Sequence, residues 1–273
     1  MAIKLMYITN RPDVACIAEK AGVDRVFVDL ETIGKQERQG GMDTVQSKHT
    51  ISDIAEIRKV LTKAQLLVRS NPVHEGSRQE IDAIVEAGAD IIMLPYFKTL
   101  EEVRLFISFV NGRSKTMLLF ETPEAVELVD EILALDGIDE VFIGLNDLSL
   151  GYGKKFMFEL LADGTVERLC EKFKEKGYNY GFGGIAAIGK GDLPAECILK
   201  EHCRLGSTAV ILSRSFCNIS KIDDFEKIED VFFRGVGKMR EKEKEIDLLG
   251  VDFEENRLDV KKIVNELVEK SGK

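Results

Sequence analysis

Tryptophan is absent from this sequence, histidine occurs three times, and none of the five cysteines stands at CxxC spacing to another. His49, His74 and His202 form no HxH or HExxH pair, which argues against a histidine-built zinc centre. Cys16, Cys170, Cys197, Cys203 and Cys217 are odd in number and scattered, as expected of reduced thiols rather than a disulfide framework. Long apolar runs are also missing. Stretches such as IIML and AVIL fall far short of the ~20 residues a membrane helix requires, and the opening MAIKLMYITNRPD has no apolar signal core. A basic excess is lacking too: the formal charge is −10, opposite to what phosphate neutralisation demands, so no nucleic-acid partner is expected. The expectation is a soluble cytoplasmic protein with neither a nucleic-acid nor a membrane partner.

What is present is the material of a large core. With 273 residues, 44% hydrophobic and 32% charged, the chain has the composition of a globular protein of one large or two ordinary domains. Short β-rich runs recur at 4–9, 25–31, 65–71, 90–96, 116–121, 140–147, 180–185 and 208–214. Most are near-continuous apolar stretches, as parallel strands buried on both faces require. Amphipathic segments lie between them. DVACIAEKAG and RQEIDAIVEAGAD finish with glycines at helix ends, TLEEVRLFISFV opens with a Thr99/Glu102 capping-box spacing, and TPEAVELVDEILAL carries Pro123 in its first turn. Eight such alternations predict an α/β fold, a (β/α)8 TIM barrel, over residues 1–220. A doubly wound open sheet is the competing arrangement, but no dinucleotide-type glycine loop follows the first strand.

Two segments fall outside the repeat. Residues 32–50 form a long polar loop broken by Gly40–Gly41, read as a lid or a mobile connection. Residues 221–273 form a charged, helical C-terminal extension. Its stripe of Ile263, Val264 and Leu267 packs either on the barrel or on a neighbouring subunit.

Barrel chemistry gathers at the C-terminal strand ends, and the polar residues there are Asp29 and Glu31, Arg69 with Ser70 and Asn71, Glu121, Asn146 and Asp147, and Ser213 with Arg214. Glu121 and Asp147 fall on neighbouring strands, which run ~4.8 Å apart. Two carboxylates that close favour a cation between them, and oxygen-only ligation suits Mg²⁺ or Mn²⁺. Helix capping by Glu121 and a local turn at Asp147 are the simpler alternatives. Arg69 at the end of a buried strand needs an anion: a substrate carboxylate, an enolate oxygen, or a structural pair with Asp29 or Glu31. His49 in the long loop is either a mobile acid/base or a solvated side chain. The GFGG segment at 181–184 reads as tight packing before phosphate binding.

Several stretches together resemble the HpcH/HpaI aldolase and citrate lyase β-subunit family: AEKAGVDRVFVDLE (18–31), VRSNP (68–72), EAGADIIMLPYFKTLEEV (86–103) and LLFETPEAVELVDEILALDGIDEVFIGLNDLSLGYG (118–153). The similarity runs over roughly residues 1–217. It implies a divalent-metal-dependent carbon–carbon lyase working through a metal-stabilised enolate on a TIM barrel. Mg²⁺, or Mn²⁺ or another divalent cation, would sit on Glu121 and Asp147. Arg69 would meet the carboxylate or keto oxygen of a pyruvate- or oxaloacetate-like 2-oxo acid, with Asp29, Pro95, Gly144 and Asn146 also on the substrate. Relatives commonly assemble through C-terminal helices, so a homo-oligomer, dimer to hexamer, is expected.

One departure stands out. Pyruvate-aldolase members continue a D-x-E pattern with a histidine base, whereas this sequence reads DLET, and Thr32 cannot act as a base at neutral pH. Glu31, a metal-bound water and His49 are the candidates for that role, in this order. A citrate- or malyl-CoA-type lyase is an alternative, with Lys35, Arg38 and Lys48 as weak phosphate contacts. A barrel that has lost catalysis and kept a binding role is another.

Overall fold

In the computed structural model, which describes residues 2–34, 48–219, 222 and 224–271, the eight apolar runs are eight parallel strands closed in sequence order. They are β1 (Lys4–Ile8), β2 (Arg25–Asp29), β3 (Gln65–Arg69), β4 (Ile91–Leu94), β5 (Lys115–Phe120), β6 (Glu140–Ile143), β7 (Asn179–Ile185) and β8 (Ala209–Leu212). β8 returns to pair with β1, Leu5 opposite Val210, so the sheet has no edge. The helices described are α1 (Pro12–Ala21), α2 (Ile51–Val60), α3 (Ser77–Glu86), α4 (Leu100–Val110), α5 (Pro123–Glu127), α6 (Val129–Ile132), α7 (Leu145–Gly151), α8 (Glu159–Ala162), α9 (Thr165–Glu175), α10 (Ala195–Leu205), α11 (Phe225–Leu249) and α12 (Phe253–Ser271).

Alternation along each strand decides what fills the barrel. Outward residues such as Val26, Val28, Leu66, Val68, Leu118 and Phe120 join the layer under the helices. Inward residues Met6, Phe27, Leu67, Met93, Met117, Leu119 and Phe142 form a separate inner cluster. Phe142 fits because β7 offers Gly181 opposite it: a Cβ there would lie 2.6 Å from the ring. Packing is thus the role of the first glycine of GFGG. Below this layer Arg25 is fully buried, its guanidinium bonded to Glu140 Oε2 at 2.8 Å and Oε1 at 2.6 Å and to Gln65 Oε1 at 3.1 Å. The pair joins β2 to β6 across the closed lower end.

Local signals are realised where they have a backbone cause. Gly22 ends α1 at φ 99°, and Thr99 and Glu102 form a reciprocal capping box on α4. Two details differ from the sequence expectation. The helix expected from Pro123 onward divides at Leu128, where ψ is 13° rather than helical. Strand six stops at Ile143, three residues before Asn146, because Gly144 turns the chain and Leu145 and Leu148 then bury at helical spacing in α7.

The C-terminal helices pack on their own barrel. Arg240 of α11 donates to Ile3 O at 2.7 Å and to Asp24 Oδ2 at 2.9 Å, while the Ile3 N–H donates to Glu243 at 2.7 Å. On α12, Val260 and Val264 are buried, and Asn256 Nδ2 donates to Glu201 at 2.8 Å and to the Cys197 carbonyl at 3.2 Å. Ile263 packs partly buried beside them. The boundary expected at 220/221 falls on residues outside those described.

Candidate active site

The inward-facing series continue past the apolar layer and change character at the top. Arg25–Phe27 leads to Asp29, Gln65–Leu67 to Arg69, and Met117–Leu119 to Glu121, each two residues on. These side chains, with His49, Gly144, Asn146 and Asp147, line a cavity of about 540 Å³ whose floor includes Phe27, Met93, Leu119 and Phe142. Charge placed over such a floor is poorly screened, which strengthens every electrostatic contact above it.

Arg69 is the best-defined element. Its Nε and Nη2 donate to the two oxygens of Asp29, both at 2.8 Å, and its Nη1 stands 3.3 Å from Glu31 Oε2. Burial by itself would lower the guanidinium pKa, but the Asp29 and Glu31 carboxylates outweigh it and hold the group well above its ordinary range. The structural pair considered for Arg69 is therefore formed, and the residue still reaches the cavity wall. Glu31 is buried behind Arg69 and, like Pro95, stands outside that wall.

Glu121 and Asp147 are both buried, 4% and 6% exposed, and share the cavity. Glu121 Oε1 accepts the Tyr96 backbone N–H at 3.0 Å, and Asp147 Oδ1 accepts from Asn146 Nδ2 at 3.2 Å. Asp147 sits in the first turn of α7 rather than on the strand, so the helix presents it to the cavity that Glu121 also lines. Among the described residues no three His, Cys, Asp or Glu side chains gather closely enough to cage a metal by themselves. Two carboxylates without histidine or cysteine suit Mg²⁺ or Mn²⁺, which fill their remaining positions with water and substrate oxygens, and do not suit zinc.

His49 reaches the site: its Nδ1 accepts the Asp29 backbone N–H at 3.0 Å. The Nδ1 lone pair is thus engaged by the backbone of β2, which fixes the ring at the cavity wall. Thr32 occupies the family's histidine position, where its N–H donates to Asn71 Oδ1 at 2.9 Å. Lys48 is exposed, Lys35 and Arg38 lie outside the described residues, and most of the lid expected at 32–50 lies outside them too. Several lining residues were not singled out from sequence: Thr9 and Asn10 after β1, Met157, and Asn218 after β8. The rule that barrel sites use every strand's C-terminal end points to the first two; Met157 and Asn218 carry no local signal.

The HpcH/HpaI aldolase/citrate lyase family model matches residues 4–159, more than half of the chain. The chain belongs to the HpcH/HpaI aldolase/citrate lyase family. Among curated relatives, a hydroxypyruvate/pyruvate aldolase of Sagittula stellata is 26% identical in an alignment 103 residues long that covers 27% of this chain and 41% of that protein. A second, of Roseovarius nubinhibens, is 33% identical over 72 residues, 26% of this chain and 27% of that protein. The chain thus spans less than half the length of either relative. The crystal structure of an HpcH/HpaI aldolase from Desulfitobacterium hafniense DCB-2 superposes with a TM-score of 0.60, covering 88% of this chain and 93% of that one at 18% identity. The citrate synthase SbnG does so at 0.57, covering 88% and 94% at 19% identity. These two share the barrel fold with this chain.

Proposed function

We propose that this chain is a divalent-metal-dependent carbon–carbon lyase of aldolase type acting on a pyruvate- or oxaloacetate-like 2-oxo acid. The observation that carries the reading is the placement of two buried carboxylates, Glu121 and Asp147, in one cavity with an arginine whose orientation is fixed by Asp29. A cation on those carboxylates would supply the positive charge that stabilises an enolate oxygen. The chain's own residues do the rest. Asp29 takes two of the five guanidinium N–H groups of Arg69 and Glu31 faces a third, which leaves two for a substrate carboxylate or keto oxygen. The proton released as the enolate forms goes to Glu31 or to His49, whose Nδ1 accepts the Asp29 backbone N–H at the cavity wall. Asp29 thereby organises both Arg69 and His49, one through its side chain and one through its backbone. The apolar floor excludes water from below.

The relatives named for hydroxypyruvate and pyruvate support the same substrate class. A homo-oligomer, dimer to hexamer, belongs to the same reading: Phe225 and Phe233, two turns apart on α11, are 51% and 46% exposed. The test needs no knowledge of the acceptor. Proton NMR of pyruvate in D2O follows deuterium entering the methyl group as the enolate forms and reverts. The signal should decay only with protein and Mg²⁺ together. An undiminished methyl signal of pyruvate and an undiminished C3 proton signal of hydroxypyruvate, with protein and Mg²⁺ both present, would contradict the reading.

A further inference from the structure

Tyr96 has φ 48°, a left-handed conformation that costs a non-glycine residue about 1 kcal/mol or more. It follows directly on β4 and Pro95, and strain of this kind persists only where neighbours enforce it. Two bonds to the next strand end do so. The Tyr96 N–H donates to Glu121 Oε1 at 3.0 Å, and the Thr122 hydroxyl donates to the carbonyl of Phe97 at 2.7 Å. Residues 96–97 are thus stapled to residues 121–122 at two adjacent points. Phe97 holds the staple from below, buried and packed edge-to-face on Phe120 at 5.3 Å. The left-handed φ sets the path of the chain after this N–H and brings the Phe97 carbonyl to the Thr122 hydroxyl, so that both bonds form together.

We infer that Tyr96 is a positioning residue for Glu121: its backbone N–H, placed by the staple, ties down Oε1 and so fixes the carboxylate that would hold the cation. The inference rests on the metal reading above. A second observation fits it independently. Oε2 lies over Gly144, where a Cβ would stand 2.7 Å away, so the oxygen that Tyr96 does not hold occupies space that a glycine leaves. The tyrosine ring stands outside the cavity wall, with the Lys98 ammonium 5.3 Å from its centroid, and it is the backbone N–H that meets Glu121.

The test is Mn²⁺ titration by calorimetry on three full-length proteins: native, Tyr96→Gly, and one with tyrosine's α-hydroxy analogue at 96, which turns the Pro95–Tyr96 amide into an ester and deletes only the N–H. Tyr96→Gly accepts the left-handed backbone and keeps the N–H, so its affinity should stay near native. The ester should bind about 10- to 100-fold more weakly, the loss usual for outer partners of metal ligands. Thr122→Val loosens the other half of the staple and should weaken Mn²⁺ in the same direction, which covers an ester protein that fails to fold. Native affinity in the folded ester or in Thr122→Val overturns the positioning role. No Mn²⁺ binding by the native protein overturns the metal reading and this inference with it.

Discussion

Gly144 lies against Glu121: a Cβ on the glycine would stand 2.7 Å from Oε2 and 2.8 Å from the Glu121 Cβ. The Gly144 backbone, φ −84° and ψ 92°, is open to any residue, so space and not conformation is what the position demands. Gly144→Ala should push the carboxylate off its present rotamer. We predict Mn²⁺ affinity about 10- to 100-fold below native by calorimetry, with the fold retained by circular dichroism. Unchanged affinity would mean that Glu121 does not hold the cation.

Arg69 unites charge and fork geometry, and two substitutions separate them. Arg69→Lys keeps the charge but loses the bidentate match to Asp29, and kcat/KM for the 2-oxo acid should fall by about 10²- to 10³-fold. Arg69→Ala removes the guanidinium that pairs with both oxygens of Asp29 and faces Glu31, two carboxylates each 1% exposed. That variant should lose about 3–5 kcal/mol of stability in urea unfolding.

The lower end of the barrel offers a contrasting case. Glu140→Ala strands the fully buried Arg25 and should cost about 3–5 kcal/mol of stability. Activity per folded molecule should remain native, because the pair sits a whole layer of apolar side chains below the cavity. A large fall in kcat at full folding would contradict this division.

His202 lies fully buried on α10, its ring stacked on Phe182 at 3.8 Å and its Nδ1 2.8 Å from Ser207 Oγ, with no hydrogen-bond partner for Nε2 among the described residues. Burial lowers its pKa to about 3, from 6.5. The unfolded chain therefore takes up a proton below pH 6.5 that the folded chain refuses, and stability falls with pH across the window from 6.5 down to about 3. Between pH 7 and pH 5 this amounts to ~2 kcal/mol. Urea midpoints at the two pH values should show a drop smaller by that amount in His202→Gln than in the native protein.

Much of this architecture is legible in the sequence because parallel barrel strands are apolar on both faces and separated by capped helices. The Thr99 and Gly22 signals act within a few residues of themselves, so they survive any tertiary arrangement. Asp147 was harder. VFIGLND reads as one strand until Leu145 and Leu148 are seen to bury at helical spacing, a preference that only the packed barrel reveals. Of the alternatives for Arg69 the pair with Asp29 and Glu31 is the one formed, and sequence could not choose it because the two carboxylates meet the guanidinium only once β2 and β3 pair. Arg25 and Glu140 carried no warning, because a charge at a strand's first residue normally faces solvent. Tyr96 is the extreme case: a left-handed tyrosine has no composition signal, and only the staple to Glu121 and Thr122 explains it.

The most direct test is Mn²⁺ titration into the metal-stripped protein with pyruvate present, beside Glu121→Gln and Asp147→Asn. One site in the native protein, lost in both variants, is the predicted result. Absence of binding in the native protein, or equal binding in all three, would contradict a metal-assisted lyase centred on these two carboxylates.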